Sequence, residues 1–177
     1  MGLDAIIEVS TIIISLFALI FLTGIFLLFM YALFFGGPYA PVADNRILTM
    51  IKLLKVKKGE KLVDLGSGDG RIVIAFAQLG VESHGYEINP VLVAWSRYKI
   101  RRAGLAKLAF IHFSDYWQQN FSKFKVVTLF TSPLVIGRVG RKMKRELLPG
   151  SRLVSNSFKL PGVKHVKEEN RVYLYKF

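Results

Sequence analysis

The sequence predicts an α/β fold: a doubly wound, mostly parallel sheet ending in an antiparallel edge hairpin and preceded by one transmembrane helix. Three observations carry that prediction. No charged residue stands between Val9 and Phe35. From Lys61 onward, short apolar strand-like runs alternate with helical patterns. A glycine-rich bend, Gly66-Ser67-Gly68-Asp69-Gly70, leads out of the first strand into the next helix.

The uncharged stretch is filled mainly by Ile, Leu and Phe. As a helix it is roughly 40 Å long, enough to cross a hydrocarbon core of about 30 Å with some tilt. A cleaved signal peptide has a basic start and an apolar region of about 7–15 residues. Here the start is acidic, with Asp4 and Glu8, and the run is far longer. A buried core helix would need more chain around it than 177 residues provide. The segment therefore reads as an uncleaved anchor spanning about residues 9–35. No Lys or Arg precedes it, whereas Arg46, Lys52, Lys55, Lys57, Lys58 and Lys61 follow. The positive-inside bias puts the N-terminus outside and the remaining chain in the cytoplasm, or in the inner compartment of an organelle.

Gly36-Gly37-Pro38-Tyr39-Ala40-Pro41 breaks the span with a stiff, turn-rich connector. Asp44 or Asn45 caps a short helix running to about Leu54. Lys61–Leu65 then reads as strand, Arg71–Leu79 as helix and Val81–Tyr86 as strand. Pro90–Ala103 reads as a helix with proline in its first turn. Leu108–Phe113 and Val126–Phe130 are apolar strands. Gly137–Leu148 is a basic amphipathic helix closed by Pro149-Gly150, and Arg152–Ser155 is a strand. Val163–Lys167 and Arg171–Phe177 pair as the closing hairpin.

Composition narrows the chemistry. The absence of cysteine excludes a disulfide framework, a thiolate zinc site and any route through a covalent thiol adduct. The formal charge of +13 favours an anionic contact, whether membrane surface, nucleic acid or acidic protein. All 25 basic residues fall at or beyond Arg46, with only ten acids among them, so the positions of those acids are informative. Asp64, Asp69, Glu87 and Asp115 stand at strand ends, where ligands bind in open α/β sheets.

Glycine at 66, 68 and 70 permits a tight turn and close approach of backbone to a ligand. Phosphate sites present N–H groups and positive charge, whereas this bend carries carboxylates at Asp64 and Asp69. The ligand it suits has a cationic part and no phosphate, as S-adenosylmethionine does. Glu87, 23 positions after Asp64, can accept both ribose hydroxyl hydrogens. Asp115 can accept from the adenine amine, with Ile88, Tyr116 or Trp117 beside the ring. Taken singly, each acid reads equally well as a helix cap or a solvated turn. All four at successive strand ends point to a Rossmann-like class I methyltransferase fold. The candidate cofactor residues are Asp64, Gly66, Ser67, Gly68, Asp69, Gly70, Glu87, Ile88, Asn89, Asp115 and Tyr116, and no metal is expected. The organisation is an anchor at 1–37, a connector with a cofactor-covering helix at 38–58 and a methyltransferase domain at 59–177.

Several stretches resemble one family. They are Pro38-Tyr39-Ala40-Pro41, Asp64 through Arg71, Gly85-Tyr86-Glu87-Ile88-Asn89-Pro90, Trp95-Ser96-Arg97-Tyr98, Ser114-Asp115-Tyr116-Trp117, Val126 through Phe130 and Lys144 through Arg152. From about Pro38 onward the chain resembles the archaeal and bacterial protein-lysine methyltransferases and the mitochondrial enzymes that modify the ATP synthase c-ring protein and the ADP/ATP carrier. The resemblance implies methyl transfer from S-adenosylmethionine to a lysine ε-amine. It assigns Asp64, Gly66, Gly68 and Glu87 to the cofactor, Asp115 to the adenine, and Tyr39 to a segment closing over the site. The chain departs from the pattern at Val42-Ala43, at Leu134 and Ile136, and at Ser155-Asn156-Ser157-Phe158, where an acceptor would enter.

A lysine amine must shed its proton before accepting a methyl group, and an apolar slot favours the neutral form. The turn after the fourth strand, Thr131-Ser132-Pro133, is the candidate wall of that slot. No general base stands out, and His112 and His165 read as ordinary strand or loop residues. An Asp/Asn-Pro-Pro-aromatic turn is absent at 131–134, which counts against nucleobase or glutamine methylation. The basic tracts Arg97–Arg102 and Arg138–Arg145 read as a solvated face or a contact with anionic lipid, with nucleic acid disfavoured. Three functions remain open. The chain is an anchored methyltransferase of membrane or membrane-adjacent proteins, one acting on a lipid headgroup or lipophilic amine, or a non-catalytic module that binds S-adenosylmethionine.

Overall fold

The computed structural model describes residues 2–35 and 39–177. Met1 and the predicted Gly36-Gly37-Pro38 break lie outside the described residues. The chain forms two units, one ending at Pro38 and one beginning at Tyr39.

The first unit is a single helix, α1 (Leu3–Phe35). It begins earlier than the uncharged stretch and takes Asp4 into its first turn, where an acid favours the positive end of the helix dipole. Ile7–Met30 has the length and composition of a membrane span, and none of its most apolar stretch is buried. Thr11 Oγ1 donates to the Ile7 carbonyl at 2.8 Å, so its hydroxyl is satisfied within the helix.

In the second unit the strands are β1 (Lys61–Leu65), β2 (Glu82–Glu87), β3 (Ala109–Phe113), β4 (Val126–Leu129), β5 (Arg152–Asn156), β6 (Lys167–Glu169) and β7 (Val172–Lys176). They form one sheet in the order β3-β2-β1-β4-β5-β7-β6. Five strands are parallel, while β7 runs antiparallel to β5 and β6. β1 and β4 sit centrally and are apolar on both faces, as strands covered from both sides must be. The helices are α2 (Asp44–Leu54), α3 (Arg71–Ala77), α4 (Pro90–Arg102) and α5 (Ile136–Glu146). Leu62, Val126 and Val154 pack with α2 and α3 on one face of the sheet, and α4 continues that layer over β3. Val63, Leu65, Val127 and Leu153 pack with α5 on the other.

Three expectations shift. α2 is not capped by Asp44 or Asn45: its N-cap is Ala43, which makes no side-chain bond, and Asp44 sits in the first turn. α5 stops at Glu146 rather than Leu148, and Leu147 is already extended, since the residue before Pro149 is kept out of helical geometry. The outer hairpin strand is Lys167–Glu169, not Val163–Lys167. Asn170 and Arg171 both have positive φ (51° and 57°), which makes a two-residue turn and fixes Glu169 opposite Val172. Val163 instead packs against the core.

Candidate functional site

The glycine bend follows β1 because Asp64 ends a buried strand and Gly66, with φ of 74°, turns the chain in a way a side chain would resist. The Gly66 and Ser67 N–H groups both donate to the Tyr86 carbonyl at 3.0 Å, tying the bend to β2. Gly85 makes this possible. A Cβ there would lie 2.5 Å from Ser67 Cβ and 2.8 Å from Ile111 Cδ1, so only glycine admits the bend against the strand. The Ser67 hydroxyl is buried against Gly85 without a hydrogen-bond partner. It faces the strand, not the mouth of the bend. A Cβ on Gly66, by contrast, would meet nothing within 4 Å, so the backbone there stands open to a ligand.

The four predicted acids take four different situations. Glu87 is the best placed. Its Oε2 accepts from the Gly68 N–H at 2.8 Å, and its Oε1 accepts from the Ile88 and Asn89 N–H groups at 2.9 and 2.8 Å. Three donors thus aim one carboxylate at the bend. Asp64, 2% exposed, lies on the α2/α3 side of β1 because side chains alternate along a strand. Thr128, its register partner on β4, donates to Oδ1 at 2.7 Å. Burial pushes the Asp64 carboxyl up to about 7, against the opposing pull of Thr128. The acid is therefore poised near neutrality rather than firmly charged.

Asp69 departs from the expected role. It accepts from Arg71 Nε at 2.9 Å and Nη2 at 3.1 Å and from Lys99 Nζ at 2.7 Å. Burial alone would raise its pKa, but these two cations hold it below the ordinary carboxylate value. Its charge is spent inside the chain and does not repel a pyrophosphate. Asp115 is a cap: its Oδ1 accepts from the Trp117 N–H at 2.9 Å and starts a 3-10 turn at Tyr116–Gln118.

Other candidates also separate. Tyr39 lies over the bend: a Cβ on Gly68 would sit 3.1 Å from its ring. Arg71 hydrogen-bonds Tyr39 and donates to the Val42 carbonyl at 2.9 Å, so one side chain docks this covering segment. Ile88 is half-buried beside Glu87. Asn89 spends its Oδ1 capping α4, accepting from Val91 and Leu92. Gly70 leads directly into α3, against Ser96 of α4. Tyr116 does not stand out as a ring-flanking side chain. It is buried in the core, its hydroxyl hydrogen-bonds Thr131, and burial raises its pKa to about 12. Thr131 is buried, and the Ser132 hydroxyl accepts from Leu134 N–H at 3.1 Å, which spends it on the turn into α5. Pro133 is exposed beside Leu134, itself 74% exposed. Among the described residues no cluster of ligands could hold a metal.

Sequence reasoning missed Thr128, Lys99, Arg71 and Arg46. Thr128 was detectable as the one hydroxyl in an apolar central strand. Lys99 had no sequence signature, because it meets Asp69 only through the packing of α4. Arg46 Nη1 donates to Asn156 Oδ1 at 2.9 Å and to Ser157 Oγ at 2.5 Å, which ties α2 to the end of β5. Two residues of the Lys144–Arg152 stretch prove structural. Glu146 accepts from Phe121 N–H and Lys142 Nζ, and Arg152 grips Glu60 and the carbonyls ending α2.

An open glycine backbone beside an aimed carboxylate, with a second, titratable carboxyl at the floor, fits a nucleoside with donating ribose hydroxyls and a cationic tail. Comparison with known proteins agrees. Residues 64–167 match the ANTKMT methyltransferase domain. The human lysine N-methyltransferase of the ATP synthase c-subunit is 40% identical over 124 residues, 70% of this chain and 53% of that protein. The chain thus spans about half the length of the first curated relatives it matches. A protein-lysine N-methyltransferase of Saccharolobus islandicus (strain REY15A) is 32% identical over 148 residues, 78% of this chain and 92% of that one. A solved RNA methyltransferase from Salinibacter ruber, in complex with S-adenosyl-L-homocysteine, superposes with a TM-score of 0.72 at 31% identity, covering 78% of this chain and 92% of that one. With its sheet order, its bend after β1 and these matches, the chain belongs to the ANTKMT methyltransferase domain family.

Proposed function

We propose that the chain is a membrane-anchored, S-adenosylmethionine-dependent methyltransferase that modifies lysine ε-amines of membrane or membrane-adjacent proteins. The observation that carries the cofactor reading is Glu87, whose carboxylate is held at the bend by three backbone donors. There it accepts from the two ribose hydroxyls, while the open Gly66 backbone lets the ligand approach. Asp64 faces the amino-acid end, Ile88 and Asp115 the adenine, and Tyr39 covers the bend. S-adenosylmethionine, when bound, supplies an electrophilic methyl group on a sulfonium.

The lysine reading draws support from the relatives, which are named for lysine N-methylation of proteins. Their names also suggest a membrane-embedded acceptor of the kind found in the ATP synthase. Thr131 and the exposed Leu134 form the candidate wall of the acceptor slot. An apolar wall lowers the pKa of an entering ammonium and favours the neutral amine that methyl transfer needs. Holding that nitrogen in line supplies much of the rate. The basic flank after α1 favours an external N-terminus and a domain on the cytoplasmic or inner face, beside anionic lipid.

Tritiated methyl transfer into membranes tests this reading, with the label separated into protein, lipid and RNA. Label on protein lysines, located by mass spectrometry, supports it. Label in lipid supports a headgroup or lipophilic-amine acceptor, label in RNA supports the activity named for the Salinibacter structure, and label in none supports a binding module.

A further inference from the structure

α4 carries two apolar faces where a surface helix needs one. Val93, Ser96 and Ile100 are buried against α3 and β3. On the opposite face Val91, Trp95 and Tyr98 are 73%, 51% and 47% exposed, four and three residues apart, so they lie in one line. The Trp95 and Tyr98 rings stack at 5.4 Å with 23° between planes. Arg102 continues the line, its Nη1 donating to the Tyr98 hydroxyl at 3.4 Å. Arg97 and Arg101, both exposed, flank it, and α4 contains no acid. A merely solvated basic face does not explain a stacked Trp–Tyr pair in line with an exposed valine, since such apolar area is better removed from water.

We infer that this face of α4 docks onto the headgroup region of an anionic bilayer, with Val91, Trp95 and Tyr98 inserted and Arg101 and Arg102 against lipid phosphates. The composition matches that interface: Trp and Tyr sit at headgroup depth with one wet edge, and arginine pairs with phosphate. Charge complementarity favours lipid over a second copy of the chain, whose equally basic face would repel it. The inference rests on reading α1 as a membrane span. Tyr39 follows Phe35 by only four positions in the sequence, a stretch reaching at most about 14 Å, and so short a tether raises the local concentration of bilayer around the domain. α4 begins three residues after Glu87, so docking turns the mouth of the glycine bend toward membrane-resident acceptors.

The test uses the full chain in vesicles of phosphatidylcholine alone or mixed with phosphatidylglycerol, each carrying brominated lipid. Trp117 packs against the core with Arg138 over its ring at 4.2 Å. The difference between the parent and Trp95→Phe therefore isolates the exposed tryptophan. Trp95 fluorescence should be quenched by brominated lipid in anionic vesicles and remain open to aqueous acrylamide in neutral ones. Each arginine near an anionic surface shifts the docking equilibrium about fivefold, so Arg101→Glu with Arg102→Glu should weaken docking at least about 25-fold. Flotation reports α1 separately. A chain that floats with both vesicles but keeps Trp95 open to acrylamide in both overturns the docking and leaves the anchor standing. One that floats with neither overturns both. Shielding in neutral vesicles that rises with protein density marks a second copy and overturns the lipid assignment.

Discussion

Replacing Glu87 with alanine removes two things at once, and the structure allows them to be separated. The carboxylate accepts from Gly68, Ile88 and Asn89 N–H groups. The Ile88 and Asn89 groups lie near the surface, where water can replace the acceptor. Gly68 is buried, and its unsatisfied N–H should cost about 1–3 kcal/mol of stability. The ribose reading adds two bonds to a charged acceptor, about 1.5–3 kcal/mol each, so affinity should fall between about a hundredfold and ten-thousandfold. Loop disorder by itself could also weaken binding, so the assay is a cycle. Isothermal titration compares S-adenosylhomocysteine with its 2′-deoxy analogue on the parent and on Glu87→Ala. If the carboxylate holds the ribose, removing the 2′-hydroxyl weakens the parent by about tenfold or more and leaves the variant nearly unchanged. The reasoning fails if the parent binds both ligands within about twofold, or if Glu87→Ala binds S-adenosylhomocysteine as tightly as the parent.

Asp64, raised to about 7 by burial from the ordinary 3.8, should make the ligand-free protein less stable as pH rises. A raised acid contributes stability that is fully present below the unfolded value and lost as pH climbs through about 7, a few kcal/mol in all. Urea unfolding across that window should show the fall, and Asp64→Asn should flatten it. If ionised Asp64 serves the cationic end of the ligand, affinity should rise over the same window with release of a proton, detectable by titration in buffers of different ionisation enthalpy. Gly85→Ala should cost about 1–3 kcal/mol or block folding, because the new methyl falls 2.5 Å from Ser67 Cβ; a thermal melt matching the parent would contradict the packing. Arg152→Met leaves Glu60 without its 2.6 and 2.7 Å partner and frees the α2 carbonyls, and should lower stability by about 2–4 kcal/mol in denaturant titration.

Much of the architecture was legible because it is written in local patterns. The uncharged run from Val9 to Phe35 has the length and apolarity of a span whatever surrounds it. The buried parallel strands β1 and β4 read as unbroken apolar runs, and Pro90 and Pro149 punctuate helices by their own geometry. Glu87 was recognisable because an acid ending the second strand is carried by topology to the mouth of the first bend. The hairpin was expected, but its register was not, since it depends on Asn170 and Arg171 both turning left-handed.

The sequence by itself determined the order of elements, the apolar segment, the glycine bend and the acids at strand ends, because spacing along the chain dictates which residues share a face or end a strand. Only the tertiary structure decided how each acid behaves. Asp69 is neutralised by Lys99, thirty positions away, because α4 packs beside the bend. Asp64 is poised near neutrality because β4 seals it under Thr128. Asp115 and Asn89 are occupied as caps, and Tyr116 is drawn into the core toward Thr131. Charge state and free valence depend on burial and on partners brought from distant segments, and neither is encoded in the spacing of neighbours.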